Sequence, residues 1–115
     1  LMLTDGKARV LTEKNGIPTA ALHDFGKGKG IYLGGFSLSN ANTRMLLNLM
    51  LYGMGLPLKQ NYLTDSPDAE CAYYPGTGKL VVINNSDKGL RTQVQTEKGM
   101  REFALAPFET VIEEA

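Results

Sequence analysis

The sequence predicts an α+β chain in two pieces: the end of an α/β domain with one buried helix, then a small antiparallel β-sandwich or barrel. Three observations carry this. Only one segment, Thr43 to Tyr52, sets apolar residues at helical spacing over a full helix length. From Glu70 onward, short strand signals recur about every ten residues with turn residues between them. Between the two lies a polar stretch, Lys59 to Ala69, that contains Thr64-Asp65-Ser66-Pro67-Asp68. The expected division is therefore residues 1–60, the C-terminal part of an α/β domain, and residues 61–115, an antiparallel β domain.

In the first piece, Ala8 to Thr12 reads as a strand and Lys14-Asn15-Gly16 as a hairpin turn, because Asn-Gly readily takes positive φ. Ile17 to Phe25 returns as a second strand. Pro18 near its start cannot donate a ladder hydrogen bond, which suits a strand beginning or an edge. Gly26-Lys27-Gly28-Lys29-Gly30 reads as a turn, and Ile31 to Phe36 as a third strand, apolar enough to be buried on both faces. Ser37 to Asn42 supplies side chains that accept hydrogen bonds from exposed helix amides. In the helix that follows, Met45, Leu46, Leu49 and Met50 fall at helical spacing with Leu47 and Leu51 beside them, so it is apolar round most of its circumference and expected to be buried. Gly53 or Gly55 can end it in a left-handed cap, and Pro57 blocks continuation.

In the second piece the expected strands are Glu70–Tyr74, Lys79–Asn84, Leu90–Thr96, Arg101–Leu105 and Glu109–Ile112. Pro75-Gly76-Thr77-Gly78, Asn85 to Gly89 and Glu97-Lys98-Gly99 turn the chain between them. Leu90 to Thr96 alternates apolar and polar side chains, as a half-exposed strand does. A module near this size buries little surface alone and gains from a neighbour.

Composition narrows the function classes. Of 115 residues, 43% are hydrophobic, and 12 basic residues balance 12 acidic ones. That balance argues against a nucleic-acid or membrane-surface partner, which calls for a basic face. The most apolar stretch, Met45 to Leu58, is shorter than the roughly 20 residues a membrane-spanning helix needs. One cysteine, Cys71, cannot form an internal disulfide, which suits a reducing, cytoplasmic setting. No basic-then-apolar leader is visible. The opening Leu1-Met2-Leu3 is apolar from its first residue, as expected of a segment from within a longer protein.

Candidate chemistry is sparse. The Gly26 to Gly30 run could cradle an anion with its amides and lysines, but a strand follows it where a nucleotide-binding loop needs a helix. Gly78-Lys79 is followed by Leu80, so it is not a phosphate loop either. His23 is the single histidine and has no catalytic or metal-ligating partner nearby in sequence. Asp65, Asp68 and Glu70 lack the spacing and glycine of a calcium loop and read as a solvated linker. Asn84-Asn85-Ser86 matches a glycosylation acceptor pattern, with nothing else to suggest secretion. Tyr62, Tyr73, Tyr74 and Phe108 could stack on sugar rings, or pack in the core or against a neighbouring domain. No catalytic residue, cofactor-binding residue or metal ligand is assigned, and no cofactor is expected.

Several segments resemble known enzymes. Gly26 to Gly35 resembles the strand-turn-strand that closes the middle, amidotransferase-like domain of galactoside-active enzymes. Asn42 to Leu47, Tyr62-Leu63-Thr64-Asp65 and Glu70 to Pro75 are similar to the end of the galacto-N-biose/lacto-N-biose phosphorylases, glycoside hydrolase family 112. Leu80 to Ser86 and Ala106 to Val111 are similar to their small terminal β domain, and family 42 β-galactosidases have a comparable tail. The resemblance implies an enzyme of three parts: a catalytic (β/α) barrel, a middle α/β domain and a β tail. Such enzymes cleave a β-galactosyl bond with inorganic phosphate to give α-galactose 1-phosphate, and a carboxylic acid on the barrel protonates the leaving oxygen. No barrel residue lies in this chain, so none of the catalytic residues carries over. The expected role is packing and assembly, with the remainder of the enzyme and further copies of the chain as partners. The alternatives are a β-galactosidase tail and a small carbohydrate-binding module acting through the tyrosines.

Overall fold

The computed structural model describes residues 6–115; the apolar opening at Leu1-Met2-Leu3 lies outside the described residues. The chain divides into two compact units, between Leu58 and Lys59. The content expected from the sequence is present: antiparallel β-structure with one helix.

The first unit is a three-stranded antiparallel meander, β1 (Arg9–Lys14), β2 (Ile17–Phe25) and β3 (Gly28–Leu33), followed by α1 (Asn40–Gly53). The β1–β2 turn rests on Asn15 (φ 54) and Gly16 (φ 75), the left-handed pair that Asn-Gly accommodates at least cost. The β2–β3 turn is tighter than the sequence suggests. Gly26 (φ 59) and Lys27 make it alone, while Gly28-Lys29-Gly30 belongs to β3 and pairs with Phe25, Asp24 and His23. Here the ladder overrides the weak strand preference of glycine, since each backbone group still finds its partner.

The antiparallel pairing of β1 with β2 agrees with the hairpin read at Lys14-Asn15-Gly16. Two expectations are corrected in this unit. β3 is not buried on both faces; only Ile31 and Leu33 are half-covered. Nor is α1 a buried helix: Leu51 alone among its residues is buried. The physical reason is shared. A single sheet layer can cover one side of a helix, and α1 rests on β3, with Ile31 Cδ1 3.5 Å from where a Cβ on Gly53 would stand. The remaining apolar circumference faces outward.

The helix ends are well defined. Ser39, with extended backbone, is the N-cap; its Oγ accepts from Asn42 N at 3.1 Å and its carbonyl accepts from Thr43 N and Thr43 Oγ1. Asn42 Nδ2 donates to Ser37 O at 2.8 Å, bracing the entry. At the other end, Leu56 N donates to Leu51 O and Gly55 N to Tyr52 O, with Gly55 at φ 72. That pair of hydrogen bonds around a left-handed glycine is a Schellman cap.

The second unit holds five strands in two sheets. β4 (Ala69–Tyr74), β5 (Lys79–Asn84) and β8 (Thr110–Glu114) form one, in the order β4-β5-β8; β6 (Leu90–Thr96) and β7 (Gly99–Leu105) form the other. Alternation decides the faces: Leu80, Val82 and Asn84 of β5 point inward, as do Thr92, Val94 and Thr96 of β6. Leu80, Val82, Val94, Phe103 and Leu105 meet as the core, with Tyr62, Cys71, Tyr73, Leu90 and Val111 packed around it. This is a small antiparallel β-sandwich.

Candidate functional site

The residues singled out by the sequence serve the sandwich more than any common site. Asp65 was expected in a solvated linker, and the structure corrects this. Its Oδ1 accepts from Thr92 Oγ1 and from Gln93 N, each at 2.8 Å, while Asp65 N donates to Gln93 O. Beside it Thr64 is buried, bridges Val94, and donates to Ala69 O at 2.5 Å. Tyr62 N donates to Gln95 O. The segment 62–65 thus lies along the outer edge of β6 as a short third strand would, satisfying amides that would otherwise invite another chain. Hydrogen bonds from the Gln93 amide and the Thr92 hydroxyl hold the Asp65 carboxyl below the usual carboxylate range.

Asn84 is the buried polar centre of the sandwich. Its Nδ2 donates to Lys88 O at 2.7 Å and Ala106 O at 2.9 Å; its Oδ1 accepts from Ser86 N at 2.9 Å and Ser86 Oγ at 2.8 Å. Both amide hydrogens are committed to backbone carbonyls, which ties the β5–β6 turn to the β7–β8 turn. The Asn84-Asn85-Ser86 pattern is therefore a fold device, with its amide inaccessible to a glycosyl donor. Sequence reasoning missed this role. The available signal was an asparagine at an inward position of an alternating strand, where only a fully bonded polar group is tolerated.

The aromatic residues do not gather on one surface. Tyr62 and Tyr73 stack on each other, with ring centroids 4.3 Å apart and planes 14° from parallel, so one face of each ring is already used. They form a wall of a cleft of about 220 Å³ whose rim carries Glu97, Lys98 and Glu114. Lys98 Nζ donates to Ala115 O at 2.6 Å, and Glu114 pairs with Lys79. Tyr62 sits at φ 62, in the left-handed region a bulky residue seldom adopts. Tyr74 lies beside the β4–β5 turn, whereas Phe108 N donates to Ser86 O beyond the far end of β5. The length of that strand, about 17 Å, separates the two.

The remaining candidates are structural in their surroundings. Asp24 is bonded by Lys29 at 2.6 Å, with Arg9 at 3.8 Å; the Lys29 ammonium holds its carboxyl low. His23, half-buried, pairs with Gly30 across β2 and β3. Cys71 is half-buried against the core, and burial pushes its thiol up to about 11. Among the described residues, no group of three or more His, Cys, Asp or Glu side chains could hold a metal ion. No helix of the described residues is long and apolar enough to cross a membrane.

The described residues form a meander with one helix resting on it, followed along the chain by a β-sandwich whose Asn84 side chain bonds to its own loops. The chain belongs to the galacto-N-biose/lacto-N-biose phosphorylase family: the lacto-N-biose phosphorylase central domain matches residues 1–57 and the lacto-N-biose phosphorylase C-terminal domain matches residues 62–113. A D-galactosyl-β-1→4-L-rhamnose phosphorylase of Lachnoclostridium phytofermentans is 41% identical over 97% of the chain. A 1,3-β-galactosyl-N-acetylhexosamine phosphorylase of Bifidobacterium longum subsp. longum is 35% identical over 71% of it. The chain spans 16% of the length of the first relative and 11% of the second.

Proposed function

We propose that this chain is the non-catalytic C-terminal part of a galactoside phosphorylase and that it acts by packing and assembly. The observation that carries the reading is the succession of the two phosphorylase domains, over residues 1–57 and 62–113, along a chain that spans so little of its relatives' length. Its polar side chains support this. Asp65 and Asn84, the best candidates for chemistry by burial or hydrogen bonding, are committed to backbone amides and carbonyls. The division into a middle-domain segment over 1–60 and a β domain over 61–115 belongs to the same reading, and a cytoplasmic setting suits it. The middle domain that the first segment would complete is the amidotransferase-like one.

In the reaction of the whole enzyme, a phosphate oxygen would form a bond to the anomeric carbon as the glycosidic C–O bond breaks. The departing oxygen would take a proton from a carboxylic acid elsewhere in the enzyme, and α-galactose 1-phosphate would result. The relatives' names divide between an L-rhamnose and an N-acetylhexosamine acceptor. The test is therefore made on the full-length enzyme with both β-galactosides and inorganic phosphate, followed by ³¹P NMR. The expected result is phosphate-dependent release of α-galactose 1-phosphate from one of them. Free galactose released without phosphate would sink the reading in favour of a β-galactosidase tail.

A further inference from the structure

We infer that the uncovered side of α1 is a docking face for the remaining central-domain polypeptide of the same full-length enzyme. This rests on the reading above that the chain works within a longer galactoside phosphorylase. Leu46, Met50 and Met54 stand four residues apart, so they form one row along the helix. Met50 is 56% exposed and Met54 62%, and Leu38, just before the N-cap, is 90% exposed.

Charge separates this face from an ordinary surface. From Met45 to Leu58 there is no charged residue, and the helix carries neither an acidic side chain in its first turn nor a basic one in its last. A helix that remains in water normally interleaves charges on its outer side, and one apolar all round belongs inside a larger body. The second unit offers the contrast. Its exposed Met100 stands next to Arg101 and two residues from Lys98, as a solvated residue does.

The occupant follows from length. Relatives 41% and 35% identical are matched over only 16% and 11% of their own chains, so most of their polypeptide has no counterpart here. The central-domain match takes in α1 whole, and on the reading that residues 1–60 are only the end of that domain, its remainder supplies the cover. A second copy of this chain is the competing occupant.

Methionine oxidation tests this, because hydrogen peroxide converts accessible thioethers to sulfoxides at initial rates set by exposure. The initial rates at Met50, Met54 and Met100 are read by peptide mass spectrometry in the native full-length enzyme and in the same enzyme unfolded in urea. The inference expects Met100 to react near its unfolded rate, and Met50 and Met54 about tenfold or more slowly than theirs. Met50 and Met54 reacting as freely as Met100 in the native enzyme would overturn it. Protection lost on dilution of the enzyme would overturn it as well, by naming a second copy as the cover. The phosphorolysis assay is independent: an enzyme with no such activity but with protected methionines would defeat the functional reading and leave the docking face standing.

Discussion

Replacing Asn84 with alanine should remove a large part of the stability of the β-sandwich. The change removes two donated and two accepted hydrogen bonds. Lys88 O keeps the hydroxyl of Ser86 at 3.0 Å, and both residues lie toward solvent, so part of the loss is restored by water. At about 1 kcal/mol for each bond, with a surcharge where a group is left unpaired, the cost is about 3–4 kcal/mol. A unit of about 57 residues has only about 3–9 kcal/mol to lose. Asn84→Asp should be no milder: it keeps the acceptors but loses both donors and sets a carboxylate opposite two carbonyl oxygens. Urea titration with hydrogen exchange read at the Val82 and Val94 amides, both in the core, reports this unit alone. Loss of less than about 1 kcal/mol in the alanine variant, or an aspartate variant as stable as the parent, would refute the assignment of Asn84 as the polar centre.

Three further outcomes follow from the same structure. Asp65→Asn should cost about 1 kcal/mol at neutral pH, kept small by the exposure of the carboxylate. Because the folded pKa of Asp65 is depressed, its contribution is present above the unfolded carboxylate value and lost as pH falls through the folded one. Melting temperatures of the two proteins should therefore converge in acid; a constant gap down to pH 2.5 would contradict this. Cys71, with its thiol pushed from 9.0 to about 11 by burial, should alkylate roughly 100-fold more slowly in the native chain than in urea, and equal rates would remove the thiol from the core rim. Gly55→Ala should cost about 1 kcal/mol through backbone strain alone, since the position has φ 72 and open space where a Cβ would stand. Thermal unfolding followed at 222 nm, the helix band, checks it.

Much of the second unit was legible in the sequence because its cues are local. β5 and β6 occupy the residues expected, Lys79–Asn84 and Leu90–Thr96, since alternation and turn residues fix a short strand between them. What stayed hidden depends on partners far along the chain. Thr64 and Asp65 look like linker residues until Thr92, Gln93 and Val94 come beside them. The helix is the converse case. Its composition was read correctly as apolar all round, yet burial needs a cover on every side, and a three-stranded meander supplies one. The tyrosines were legible only as a class: nothing in their spacing tells that Tyr62 and Tyr73 stack while Tyr74 and Phe108 part to opposite ends of β5.

The central claim is that this segment supports a galactoside phosphorylase without taking part in its chemistry. It is tested most directly by steady-state kinetics on the full-length enzyme carrying Asp65→Ala, Glu97→Ala or Tyr73→Ala, set beside thermal inactivation of the same proteins. The account predicts kcat and KM within about twofold of the parent for each folded variant, with heat resistance lowered most by Tyr73→Ala, which removes a ring packed on the core and stacked on Tyr62. A variant that kept its heat resistance while kcat fell by about a hundredfold would place a catalytic residue in this segment and contradict the account.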